Sequence, residues 1–284
     1  MFEVENAEHQ TAWGLPLTVL VCKVCDWSFL TSGEDTHTIK RCPHCFKGDL
    51  DSSNLELSQS TYQHSPELVI VPSVTTEVMS RKIDDFAGKI PYPPGDLRPD
   101  ILHQRLQLIW FPEWLVDCSV SAVWDAESGF DYAVLSHQEH FSDSGWTTQQ
   151  VKETRIRWEP RVGRMHRSYQ NIIAPALDGH TDLWQRLGEY SISQARTYAP
   201  ELVTHGLIRL PDLSPETSWS EVVPLLYKKA GNEVKTATSA EYIRNFRWSP
   251  EYRDKNWTLL LVPVYATFYT DDNGIPQPVL IHAL

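Results

Sequence analysis

Apolar residues recur along this chain with two spacings, two and about 3.6. The clearest run has period two. Trp114, Val116, Cys118, Val120, Ala122 and Trp124 alternate with Leu115, Asp117, Ser119, Ser121, Val123 and Asp125, which predicts a strand with one mainly apolar face. Residues 125–129 read as a turn and 130–136 as the returning strand. Residues 147–158 and 164–173 read as two further strands about a turn at 160–163. Short turns join only antiparallel neighbours, so these four segments are expected to form an antiparallel meander. Near the end, Asp271-Asp272-Asn273-Gly274 separates two apolar runs, 259–269 and 278–284, and Asn-Gly in that setting signals a hairpin.

Helical spacing appears between these strands. Ser73 is placed to cap a helix through residue 87 that carries Val78, Met79, Ile83 and Phe86 on one side and stops at Gly88. Residues 181–187, 191–199 and 238–246 have helix-compatible spacing. Ser218 and Glu221 form a capping box before Val222, Leu225 and Leu226, with Pro224 bending that helix. Upstream, residues 17–21 predict a strand, and 27–30 and 36–40 predict hairpin arms that turn at 32–35. Residues 1–12 read as a polar lead-in, and the Ser/Gln-rich stretch 49–65 has no periodicity and reads as a linker.

The N-terminal hairpin sits inside a cysteine pattern. Cys22, Cys25, Cys42 and Cys45 form C-x2-C-x16-C-x2-C, the spacing of a closed tetrahedral zinc site in which each pair occupies one tight knuckle turn. Four thiolates leave no position for water, so the expected cofactor is one structural Zn2+ that contributes folding energy to a module too small for its own core. His37 and His44 are competing donors by residue type, and with four cysteines present they are read as bystanders. The fold class is therefore α+β: a small N-terminal zinc ribbon plus a larger body with an antiparallel β-meander sheet and helices. The domains are expected at 1–48 (ribbon), 49–66 (linker) and 67–284 (body). An echo between apolar-Pro-x-aromatic strands, within 100–175 and 250–284, fits either a divergent duplication or ordinary strand grammar. The apolar last residues, Ile281-His282-Ala283-Leu284, suggest a fragment of a longer chain.

Composition narrows the function classes. Over 284 residues, hydrophobic content of 41% with 22% charged is that of a folded protein. Eleven Trp and eleven Tyr suit a β-rich core or a binding surface. A net charge of −12 argues against coating nucleic acid with the whole surface. No signal sequence or membrane-length apolar run is present, and cysteines in metal spacing with one left over fit a reducing compartment, so a cytoplasmic location is expected.

Three other constellations carry candidate chemistry. Arg155, Arg157, Arg161, Arg164 and Arg167, with Lys152 and His166, form a candidate anion-binding face; the alternative is a solvated strand whose arginines pair with carboxylates. His137 and His140 lie in a polar segment read as a loop, and as strand residues three apart they would face opposite ways. Cys118 alternates inward with Trp114 and Trp124 and reads as a small core residue. No catalytic residues are assigned, and phosphate-binding glycine loops, nucleophile elbows and dinucleotide fingerprints are missing from the sequence.

The cysteine ribbon, followed by Pro112-Glu113-Trp114-Leu115-Val116-Asp117 and by Leu261-Val262-Pro263-Val264-Tyr265, resembles bacterial TFIIB-type zinc-ribbon proteins. Those proteins place a ribbon ahead of modules with an apolar-Pro-x-aromatic strand. The Pro-x-aromatic strands cover a small part of the chain, and the chain stops before the N-G-x-T-G stretch and the membrane helices found in some members. The resemblance implies a scaffold or accessory protein and carries over no catalytic residue. The expected function is a non-enzymatic, zinc-stabilised scaffold or protein-interaction protein within a larger bacterial assembly. Its partner is expected to be a protein, and a membrane-associated partner is compatible. The alternatives are a nucleic-acid-associated ribbon protein using the Arg155–Arg167 face, and a hydrolase or transferase built around His137, His140 or Cys118.

Overall fold

The computed structural model describes residues 13–14, 17–32, 41–52, 65–142 and 145–284. The lead-in 1–12, the hairpin turn at 33–35, the arm at 36–40 and residues 53–64 of the expected linker lie outside the described residues. The chain is of mixed α+β class, with a large, mostly stranded sheet and, among the described residues, four α-helices. The strands are β1 (Leu17–Cys22), β2 (Ser28–Ser32), β3 (Leu50–Ser52), β4 (Leu68–Ile70), β5 (Gln107–Ser142), β6 (Gly145–Ala174), β7 (Ala195–Thr197), β8 (Leu207–Arg209), β9 (Tyr242–Thr270) and β10 (Pro276–His282). The helices are α1 (Thr76–Lys89), α2 (Pro99–Gln104), α3 (His180–Leu187) and α4 (Pro215–Ala237).

The described residues fall into two compact units. The first draws on Met1–Val116, Ile173–Trp219 and Trp257–Leu284; the second on Asp117–Ile172 and Ser220–Asn256. In the first unit the strands run in the order β3-β1-β2-β8-β5-β9-β4-β7, with β10 added to β9. The β1–β2 and β1–β3 pairs are antiparallel, and β2 pairs antiparallel with β8 through Phe29↔Arg209 and Leu30↔Ile208. The β5–β8 and β4–β9 pairs are parallel. Leu115 and Val116 are both buried, as are all residues from Leu259 to Val264. Strands covered on both faces lose the alternation of a half-exposed strand. The expected C-terminal hairpin forms: Asp271 Oδ1 accepts from the N–H of Asn273 and of Ile275, each at 2.9 Å, and Thr270 pairs with Pro276.

In the second unit, residues of α4 pack on β5, β6 and β9. Ala230 and Val234 meet Ala126 and Phe246, with Trp124, Met165, Ile243 and Trp248 around them. Here the expected four-strand meander is corrected. Residues 125–129 and 160–163 are not turns, and β5 and β6 are the two continuous arms of one long hairpin. The glycines that suggested turns mark close approach of side chains to backbone. A Cβ on Gly129 would lie 2.9 Å from Ile156 and 3.0 Å from Trp158, and one on Gly163 would lie 2.6 Å from the Trp124 ring. Pro160 is tolerated because, among the described strands, β6 pairs only with β5, and an edge position needs no ladder donor. Between residues 132 and 156 no described residue is buried, so this stretch is a two-stranded arm without a core.

Other expectations shift as well. Thr75, not Ser73, caps α1, its Oγ1 accepting from the Val78 N–H at 3.4 Å, and the helix runs past Gly88 to Lys89. Residues 191–199 contain a 3-10 turn (Ile192–Gln194) and β7 in place of a helix. Ser214 caps α4 through the Thr217 N–H, while Ser218 is buried one turn inside and donates to the Pro175 and Ser214 carbonyls. The segment at 238–246 is not helical. Thr238 Oγ1 donates back to Val234 O at 2.9 Å, Ser239 takes a left-handed φ of 56°, and β9 then begins. Among the described residues no helix is long and apolar enough to cross a membrane.

Candidate metal centre

β1 ends in Cys22, and the chain turns back on itself through two backbone bonds. Asp26 N–H donates to Cys22 O at 2.9 Å, and Cys22 N–H donates to Trp27 O at 3.0 Å. The second cysteine pair repeats this arrangement: Phe46 N–H donates to Cys42 O at 3.0 Å, and Cys42 N–H donates to Gly48 O at 2.9 Å. Asp26 and Phe46, each four residues after the first cysteine of its pair, have matching left-handed φ values of 59° and 53°. In both turns the N–H two residues on points at the first sulfur, Val24 to Cys22 Sγ and His44 to Cys42 Sγ, each at 3.4 Å. The Gly48 N–H reaches Cys45 Sγ at 3.5 Å. Two copies of one knuckle thus face each other, with backbone donors aimed at sulfur.

The sulfurs converge. Cys22 Sγ is 3.6 Å from Cys45 Sγ, Cys25 Sγ is 3.7 Å from Cys42 Sγ, and all four lie within 4.8 Å of one another. A tetrahedron with metal–sulfur bonds of about 2.3 Å has edges of about 3.8 Å. Cys22, Cys25, Cys42 and Cys45 therefore lie close enough to hold a metal ion, and the cradle fits tightly. A Cβ on Gly48 would come within 2.6 Å of Cys22 Sγ and 2.8 Å of Val24, so only glycine lets the second knuckle close on the first.

Electrostatics differ among the four thiols. Burial pushes Cys25 up to about 11 and raises Cys42 as well. At Cys45 burial is outweighed by the Gly48 and Lys47 N–H groups, which bring the thiol down to about 7. A metal ion is what would hold all four as thiolates in this setting.

Aromatic and cationic groups surround the site. The Trp27 ring stacks on His44 at 3.6 Å and 8°, which makes His44 a packing group; burial, then the Arg209 charge, lowers its pKa. Arg209 lies 4.3 Å over the Trp27 ring, donates to Ser28 O at 3.2 Å and pairs with Asp212. Phe46 stacks on Phe268 at 4.8 Å, and Cys22 and Cys42 belong to the same buried cluster as Phe29, Ile109, Leu115 and Leu260. Sequence reasoning missed Arg209, Asp212 and the Trp27–His44 stack, because no spacing rule links residues so far apart in the chain.

The other candidate residues do not converge on a site. Arg155 pairs with Glu153 at 3.4 Å, Arg157 and Arg161 share Glu159 at 2.9 and 2.5 Å, and Arg167 pairs with Glu233 at 3.1 Å. Arg164 is exposed on β6. His137 and His140 are exposed on β5 and not in a loop; His137 Nε2 is 3.3 Å from the Gln150 amide, and His140 O accepts from Thr147 Oγ1 at 3.1 Å. Cys118 is buried and burial raises its pKa, which leaves it a poor nucleophile. Among the described residues, the only converging metal-ligand group is the cysteine quartet. Searches of family models, curated proteins and solved structures return no match to the chain.

Proposed function

We propose that this protein is a non-enzymatic scaffold or interaction protein whose N-terminal segment is a zinc ribbon, held by one structural Zn2+ on Cys22, Cys25, Cys42 and Cys45. The observation that carries this reading is the convergence of four sulfurs from two matching knuckles. Four thiolates complete the tetrahedron that zinc prefers, and a complete shell gives folding energy and no open position for substrate. When bound, the ion would fix β1 and β2 against the Cys42–Cys45 knuckle, and through the β2–β8 pairing it would support the first unit's sheet.

The second part of the reading is a protein contact on the arm at 132–156. A two-stranded ribbon without a core is only marginally stable alone. Its end exposes Phe141 and Trp146, 62% and 70% accessible, with rings 5.2 Å apart. Exposed aromatics of this kind are enriched at protein contacts. The glutamate partners of Arg155, Arg157, Arg161 and Arg167 favour this reading over phosphate binding, because those charges are already engaged.

A photo-crosslinking amino acid at position 146, introduced in the native host, tests it. One recurrent protein adduct is expected at 146, with none from the same probe at Tyr92, a fully exposed control. Identical adduct patterns at both positions, or none at either, would remove the arm from the account.

A further inference from the structure

Arg209 is almost fully buried, at 5% exposure, on β8, which pairs with β2 where the chain leaves the first knuckle. Burying a guanidinium is costly unless anions surround it. Its known partners account for only part of its capacity: Nη1 donates to Ser28 O, Nη2 pairs with Asp212, and Nε has no partner among the described residues. Asp212 is the more exposed member of the pair, its side chain 24% accessible against 6% for Arg209. The guanidinium lies over Trp27, whose other stacking partner, His44, directs its N–H to Cys42 Sγ. Burial lowers the Arg209 pKa, and the Asp212 carboxylate, followed by Cys25 and Cys42, one from each knuckle, opposes that shift.

A divalent ion on four thiolates carries a net charge of −2, and the amide groups at its sulfurs supply only partial positive charge. We propose that Arg209 is a positioning residue of the metal centre, a full buried cation from β8 that balances the anionic metal–thiolate cluster. This inference rests on the metal reading above. It assigns the remote β8 residue a role in metal affinity that a merely packed arginine would not have. It also predicts a sign: Asp212 opposes the effect, because its carboxylate cancels part of the guanidinium field at the sulfurs.

The test is Co2+ titration of the reduced, metal-free full chain at one fixed pH. Loading is followed by sulfur-to-cobalt charge-transfer absorption, with affinity measured against a competing chelator. Arg209→Met should weaken binding 10-fold or more, within the 10–100-fold range for groups that support metal ligands. Arg209→Lys should recover binding to within about threefold of native, because the charge returns even though the planar fork does not. Asp212→Asn keeps an oxygen acceptor for Arg209 and removes the negative charge, so affinity should be tighter. Native affinity in Arg209→Met would overturn the proposal, as would Asp212→Asn weakening binding as much as Arg209→Met, the pattern of a purely packing role. Should Arg209→Met fail to fold, the other two variants decide: Asp212→Asn tighter than native with Arg209→Lys within about threefold of native supports the proposal, and Asp212→Asn at or below native affinity, or Arg209→Lys weakened beyond about threefold, overturns it. A native chain that binds neither Co2+ nor Zn2+ would instead overturn the metal centre itself, and this inference with it.

Discussion

Replacing Glu113 by Gln should change how the protein's stability depends on pH. Glu113 is 4% exposed in the first unit. Burial, with the Glu189 carboxylate adding repulsion, raises its pKa from 4.5 to about 8. Between those values the folded chain holds a proton that the unfolded chain has released. Stability from this group is therefore present at acid pH and is lost as pH rises toward 8, by about 1.4 kcal/mol per pH unit. Over the whole interval that amounts to roughly 4–5 kcal/mol. Gln keeps the size and polarity of the neutral acid and removes the titration. Urea unfolding of the two proteins, followed by tryptophan fluorescence, should show similar stability near pH 5. By pH 7.5 the variant should be ahead by about 3 kcal/mol, roughly two and a half pH units of that slope. Other titrating groups are common to both proteins and cancel in the difference. A gap that changes by less than about 1 kcal/mol across this range would refute the placement of an uncompensated carboxyl at position 113. Glu189→Gln should show the same trend at reduced size, since it removes only the second cause.

Trp114 is 2% exposed, donates its indole N–H to Leu213 O at 2.9 Å and meets Trp257 edge-on at 6.3 Å. Trp114→Ala should cost about 3–5 kcal/mol in thermal or urea unfolding, and a loss below about 1 would mean the ring is not core. Gly163→Ala should destabilise the second unit by about 1–3 kcal/mol, because the added methyl meets the Trp124 ring; an unchanged melting curve would restore the turn at 160–163. Trp146→Ser, at the exposed end of the arm, should leave stability within about 0.5 kcal/mol.

The cysteine quartet was readable in the sequence because knuckle geometry is local: two cysteines three apart can present both sulfurs from one tight turn. The alternation at 114–124 was readable for the same reason, since a period of two requires no partner. The turns at 125–129 and 160–163 misled because glycine in a strand and glycine in a turn look alike. The ring that covers Gly163 is Trp124, 39 residues earlier in sequence. Helical spacing at 191–199 and 238–246 likewise yielded to pairing with strands distant in the chain, β7 with β4 and β9 with β5. The burial of Arg209 beside the cysteines depends on β8 pairing with β2, and pairing across about 180 residues leaves no trace in composition or period.

The most direct test of the central claim is the metal content of the purified, undenatured chain, set beside that of Cys42→Ser. Elemental analysis should find one zinc per native chain, retained through gel filtration, and less than a tenth of that in Cys42→Ser. The variant should also melt at a lower temperature, because Cys42 shares its buried cluster with Phe46, Leu260 and Phe268. A native chain carrying no stoichiometric metal, or a variant that retains its zinc, would contradict the account at its foundation.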